Sequence, residues 1–88
     1  MRQVFITGAS SDIGVATCKK YLQEGFHVIG HYNNGQDSFF DLVDASPNMQ
    51  SLQIDLSDSH SVEQALTDHA GLFQKIDVLI NMAATFRT

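Results

Sequence analysis

One stretch constrains this chain more than any other. Thr7-Gly8-Ala9-Ser10-Ser11-Asp12-Ile13-Gly14 follows the apolar run Val4-Phe5-Ile6 and opens an amphipathic segment. A run of β-branched and aromatic side chains that ends at a glycine reads as a short, buried strand. Over residues 12–24 the apolar positions Ile13, Val15, Ala16, Cys18, Tyr21 and Leu22 predict a helix. Gly25 follows as a residue that tolerates positive φ and so ends it. A strand, a turn of small residues and a helix are therefore packed into the first quarter of the chain. That unit belongs to sheets covered by helices.

The rest of the sequence repeats the alternation. His27-Val28-Ile29-Gly30-His31 reads as a second strand. Leu52-Gln53-Ile54 reads as a third, after the loop Ser46-Pro47-Asn48, and Val78-Leu79-Ile80 as a fourth, between Asp77 and Asn81. Between the second and third strands, Phe39, Phe40 and Val43 predict a short helix with Asp37, Asp41 and Asp44 turned to water. Over residues 58–73 a single helical face is expected from Val62, Leu66, His69, Ala70 and Phe73, capped by the Ser57 hydroxyl. Strands and helices that alternate through short connections give parallel strands. The expected fold is a doubly wound α/β sheet, or the first part of one, with no linker dividing it.

Composition narrows the function classes. The 88 residues form one small domain at most. Five basic residues face ten acidic ones, for a formal charge of -5, so the dense positive face that nucleic acid requires is missing. No apolar run approaches the roughly 20 residues that span a membrane, and the stretch near Met1 is too brief for a secretory signal. Cys18 is the single cysteine, which excludes an internal disulfide or a cysteine-rich zinc site and suits a reducing, cytoplasmic setting. His27 and His31 share a strand face but stand about 13 Å apart at strand rise, too far to chelate one metal. No Gly-x-Ser-x-Gly elbow marks a hydrolase.

At the opening turn the residues leave two readings. One is an ordinary tight strand-to-helix turn. The other is a cradle for a dinucleotide pyrophosphate, because small residues let a ligand approach the backbone and the helix start presents N–H groups to an anion. The place of the turn, after the first strand of an alternating chain, favours the second.

Here a resemblance enters. Thr7-Gly8 to Gly14, TGASSDIG, resembles the TGxxxGxG loop of the short-chain dehydrogenases/reductases. Asp55-Leu56, after the third strand, is similar to that family's adenine-contacting pair, and Asn81-Met82-Ala83-Ala84 to its Asn-Asn-Ala-Gly motif. The three occur in the family's order, each at the carboxyl end of a strand. The resemblance implies a Rossmann-like doubly wound parallel sheet of strand order 3-2-1-4, with residues 1–88 as the N-terminal part of an NAD(P)-binding domain. Gly8, Ser10, Ser11 and Ile13 would line the pyrophosphate and ribose, and Gly14 would let the first helix pack closely. Asp55 would accept a bond from the adenine amino group, with the Leu56 backbone taking part. Asn81, with Ala83 in the same motif, would sit beside the coenzyme. Asp12 replaces the family's middle glycine and is expected to cap the helix with its carboxylate while its backbone still binds phosphate in the coenzyme site. Met82 and Ala84 depart from the fourth-strand motif.

The second strand bears on the choice of coenzyme. An acid that would read a ribose 2′-hydroxyl is missing from Gly30-His31-Tyr32-Asn33-Asn34-Gly35, and so is a base. Ser11 stands where NADP-dependent members often carry a base. The amides of Asn33 and Asn34 suit a 2′-phosphate, so NADP is preferred over NAD, with His31, Tyr32 and Asn33 in the site. The family's chemistry is hydride exchange between nicotinamide and a carbonyl or alcohol carbon, carried by a serine and a Tyr-x-x-x-Lys pair. Neither Tyr21 nor Tyr32 begins such a pair, and the family's own lies beyond position 88. By resemblance the chain is thus the coenzyme-holding part of an oxidoreductase, inactive by itself. 3-Oxoacyl-carrier-protein reductases, sugar-alcohol dehydrogenases and pteridine reductases are all open as substrate classes. A non-catalytic dinucleotide sensor is the alternative, and an extended-branch sugar epimerase fits less well because Ser11 stands at a glycine position of its loop. The apolar fourth strand is an unpaired edge, which predicts association into homo-oligomers.

Overall fold

The computed structural model describes residues 1–81. Chain order is β1 (Gln3–Thr7), α1 (Asp12–Gln23), β2 (His27–Tyr32), α2 (Asp37–Ala45), β3 (Met49–Gln53), α3 (Ser59–Asp68), α4 (Ala70–Phe73) and β4 (Val78–Asn81). The strands form one parallel sheet in the order β3-β2-β1-β4, as the sequence led us to expect. The expectations for Met82, Ala83 and Ala84 lie outside the described residues.

Alternation along β1 divides the core in two. Val4 and Ile6 point to one face, where α1 and α2 cover them with Val15, Cys18 and Phe39. Phe5 points to the other, where it meets Ile29, Leu52, Ile54 and Ala65. Phe39 is fully buried, and its burial contributes about 1.5–3 kcal/mol. The rings of Phe5 and Phe73 lie 5.2 Å apart and fasten α4 to the sheet. The start of β4 is pinned to β1 twice: the Gln3 amide donates to the Asp77 carboxylate at 2.8 Å, and the Asp77 amide donates to the Gln3 carbonyl at 2.9 Å.

The helices depart from expectation in four places. The cap of α1 is Ser11, whose hydroxyl accepts from the Gly14 amide, so Asp12 is a first-turn residue and not the cap. The cap of α3 is Asp58, whose carboxylate accepts from the His60 amide, so Ser57 is not the cap either. The single helix expected over 58–73 is two, broken at His69. Ala65 is buried, whereas Leu66 is 52% exposed and Ala70 is exposed too. On α1, Ile13 is 68% exposed. It lines a shallow groove with Asp12, Ala16, Thr17 and Lys20.

Cys18 is fully buried, and desolvation pushes its thiol up to about 11. The folded chain is therefore expected to resist a thiol reagent at pH 8 and to react promptly once denatured; a rapid reaction in native buffer contradicts this packing. β4 forms an edge of the sheet among the described residues, with Leu79 65% exposed. Such an edge recruits another strand or apolar face. Sedimentation of the 88-residue chain is expected to show self-association that Leu79→Lys weakens, and a stable monomer would contradict it.

Candidate coenzyme site at the carboxyl edge of the sheet

Because all four strands run parallel, their carboxyl ends meet at one edge of the sheet. The residues singled out from the sequence lie there: Gly8 to Gly14 after β1, Tyr32 and Asn33 at the end of β2, Asp55 and Leu56 after β3, and Asn81 closing β4. The Thr7 hydroxyl donates to the Asn81 side-chain oxygen at 2.8 Å, joining the ends of β1 and β4. Between those two strands the chain connections diverge, and open α/β sheets place their ligands at that point.

The opening turn is built without room for side chains. Gly8 has φ 66°, in the left-handed region that glycine enters at least cost. A Cβ on Gly14 would come within 2.4 Å of the Gly8 carbonyl oxygen and 2.8 Å of the Ala9 backbone. The first turn of α1 therefore rests directly on the loop. Ser11 ties the two together, accepting from the Gly14 amide at 3.0 Å and donating to the Gly8 carbonyl at 3.0 Å. Its hydroxyl is committed within the protein. Ser10 is buried, with its hydroxyl on the Asn34 carbonyl at 3.4 Å.

The backbone donors of this loop divide into two sets. The Gly8 amide donates to His31 Nδ1 at 3.0 Å, and the Ala9 amide to the His31 carbonyl at 2.8 Å. The Ser11 amide reaches the Gly8 carbonyl at 3.3 Å. By contrast, no hydrogen bond among the described residues takes up the N–H of Ser10, Asp12 or Ile13. These three stand at the start of a twelve-residue helix, where the macrodipole adds partial positive charge. The arrangement can hold an anion. Asp12 is exposed in the same turn and opposes it with a full negative charge.

At the other strand ends, Asp55 folds its carboxylate onto Ser57: Oδ1 accepts from the Ser57 hydroxyl at 2.6 Å and from its amide at 3.0 Å. The hydroxyl bond, then the amide bond, holds its carboxyl below the usual range. The second oxygen, Oδ2, has no hydrogen-bond partner among the described residues. The Asp55 amide donates to Ser61, a support the sequence did not suggest, because a hydroxyl six residues on has no signature. Leu56 is 48% exposed. Tyr32 packs edge-on against Phe40 at 5.1 Å and beside Phe39 at 5.4 Å, so α2 holds its ring. Asn33 and Asn34 are exposed; their carbonyls accept from Gln53 and Ser10, and no bond engages their side-chain amides among the described residues.

Comparison with known proteins agrees with this geometry. The family described as short chain dehydrogenase matches residues 2–88. Serine 3-dehydrogenase of Agrobacterium fabrum is 30% identical over 80 residues, which cover 91% of this chain and 32% of that protein. NADPH-dependent 3-dehydrocapnine reductase of Ornithobacterium rhinotracheale is 34% identical over 86 residues, covering 94% of this chain and 30% of that one. A solved structure of 4-hydroxyisoleucine dehydrogenase complexed with NADH superposes with a TM-score of 0.82 at 32% identity, over 99% of this chain and 35% of that one. The chain thus spans about a third of the length of the relatives it matches. On its sequence, its sheet and its glycine turn together, the chain belongs to the short-chain dehydrogenase family.

Proposed function

We propose that residues 1–88 hold the dinucleotide coenzyme of an NAD(P)-dependent oxidoreductase that interconverts a carbonyl and an alcohol. The observation that carries this reading is the trio of unclaimed amides, Ser10, Asp12 and Ile13, at the mouth of a turn too tight for any Cβ at Gly14. A diphosphate fits such a cradle, since it brings acceptors only and gains from the helix dipole. When bound, the nicotinamide supplies or accepts the hydride. The residues described here bind and orient: the turn would hold the diphosphate, Asp55 Oδ2 would accept from the adenine amino group, and Asn81, fixed by Thr7, would border the nicotinamide end.

Relatives with either coenzyme in their names occur, so this chain's own second strand must decide between them. NADP is favoured. The end of β2 carries no carboxylate to repel a 2′-phosphate, and the side-chain amides of Asn33 and Asn34 are available to donate to it. Ser11, with its hydroxyl spent on Gly8 and Gly14 and its amide directed to the Gly8 carbonyl, braces the turn.

Calorimetric titration with NADPH and NADH is expected to show tighter binding of NADPH. A clear preference for NADH would reverse the coenzyme choice, and binding of neither would end the reading. Asp12→Asn supplies a second test. Two like charges ~7 Å apart in water cost about 0.6 kcal/mol. Against a doubly charged diphosphate its removal is expected to tighten coenzyme binding roughly three- to eightfold, most at low salt. Unchanged affinity would place the diphosphate away from this turn.

A further inference from the structure

His31 ends the apolar stretch of β2 and is 3% exposed, a polar ring inside the sheet's carboxyl edge. Both of its nitrogens are engaged. Nδ1 lies 3.0 Å from the Gly8 amide, and Nε2 lies 2.8 Å from the Ile54 carbonyl oxygen. An amide N–H only donates and a carbonyl oxygen only accepts, so the two partners dictate the ring's state. Nδ1 must present its lone pair and Nε2 must carry the proton. The same residue's own carbonyl accepts from Ala9, at 2.8 Å.

One side chain and one carbonyl therefore take up the first two amides of the glycine turn. They also tie that turn to Ile54, the residue before Asp55. We infer that His31 is a positioning residue: a neutral imidazole with its proton on Nε2 clips the phosphate-binding turn to the adenine-side loop, and it makes no contact with coenzyme through its ring nitrogens. This deepens the coenzyme reading and rests on it. By occupying the Gly8 and Ala9 donors from beneath, His31 leaves Ser10, Asp12 and Ile13 as the donors for the ligand. It also fixes the distance between the two ends of the adenosine diphosphate site. An imidazole protonated on both nitrogens, or one with its proton on Nδ1, would set donor against donor at Gly8.

Nitrogen NMR of the ligand-free full chain reads the ring without any substitution. The expected signals are a protonated Nε2, an unprotonated Nδ1 and a through-bond coupling from Nδ1 to the Gly8 amide. Coenzyme titration of variants then reads the role. His31→Phe keeps the bulk and loses both bonds, and is expected to weaken NADPH binding at least tenfold. His31→Gln retains one acceptor and one donor and should restore most of it, as a purely space-filling role would not require. A proton on Nδ1, or a folded His31→Phe chain that binds NADPH as the unmodified chain does, overturns the inference. If His31→Phe does not fold, the ring spectrum and the Gln variant decide. Failure of the unmodified chain to bind either coenzyme overturns the coenzyme reading and the positioning role with it, whereas the ring's state stands or falls on its own spectrum.

Discussion

A helix can rest its first turn on the carbonyl of the preceding loop only where no side chain stands between them. That contact, Gly14 against Gly8 and Ala9, is the constraint from which the site follows. It draws the start of α1 down to the end of β1, in the centre of the sheet, and leaves the helix's unpaired amides at the sheet's carboxyl edge. It also brings the Ser11 hydroxyl within reach of both Gly8 and Gly14. Ser11 becomes the cap, and Asp12 is left with its charge at the mouth of the turn. The chain thus gains a rigid loop at the cost of a carboxylate near the anion it would hold. Aspartate in a first turn is favoured by the helix dipole by about 0.3–1 kcal/mol, a gain that the ligand-free protein keeps.

The sheet supplies the second half of the arrangement. Parallel strands deliver four loops to one edge, but they do not fix those loops relative to each other. Side chains do that work. Thr7 to Asn81 joins β1 with β4, and His31 joins β1, β2 and the loop after β3. Tyr32 is held by two phenylalanine rings of α2, so the end of β2 is braced from the opposite face. Of these joints the one at His31 buries a polar group, whose ring nitrogens would be costly to leave unpaired.

Legibility in the sequence tracked how directly a residue type answers a backbone demand. Gly8 and Gly14 were readable because positive φ and a missing Cβ leave glycine as the residue that fits, and β1 was readable because both its faces are covered. The caps were not, because Ser11 and Asp12 are both good caps, as are Ser57 and Asp58, and the register of one turn decides between neighbours. Leu66 was assigned to the core because a continuous helix was assumed. Within α3 the stripe that meets the sheet runs through Val62 and Ala65, and after the break at His69 Leu72 and Phe73 join the same cluster, so Leu66 falls outside it. His31 was expected among the coenzyme-site residues, but the bonds that fix its ring were not foreseen. Its partners are backbone groups of residues far off in sequence, and such bonds leave no trace in residue identity.

The central claim is that three backbone amides at the start of α1 grip a diphosphate. A crystal structure of the chain grown with NADPH tests it most directly. The account places diphosphate oxygens within hydrogen-bonding distance of the Ser10, Asp12 and Ile13 amides, with Gly8 still bonded to His31. A coenzyme bound elsewhere, with the Asp12 carboxylate folded across that turn, would contradict it.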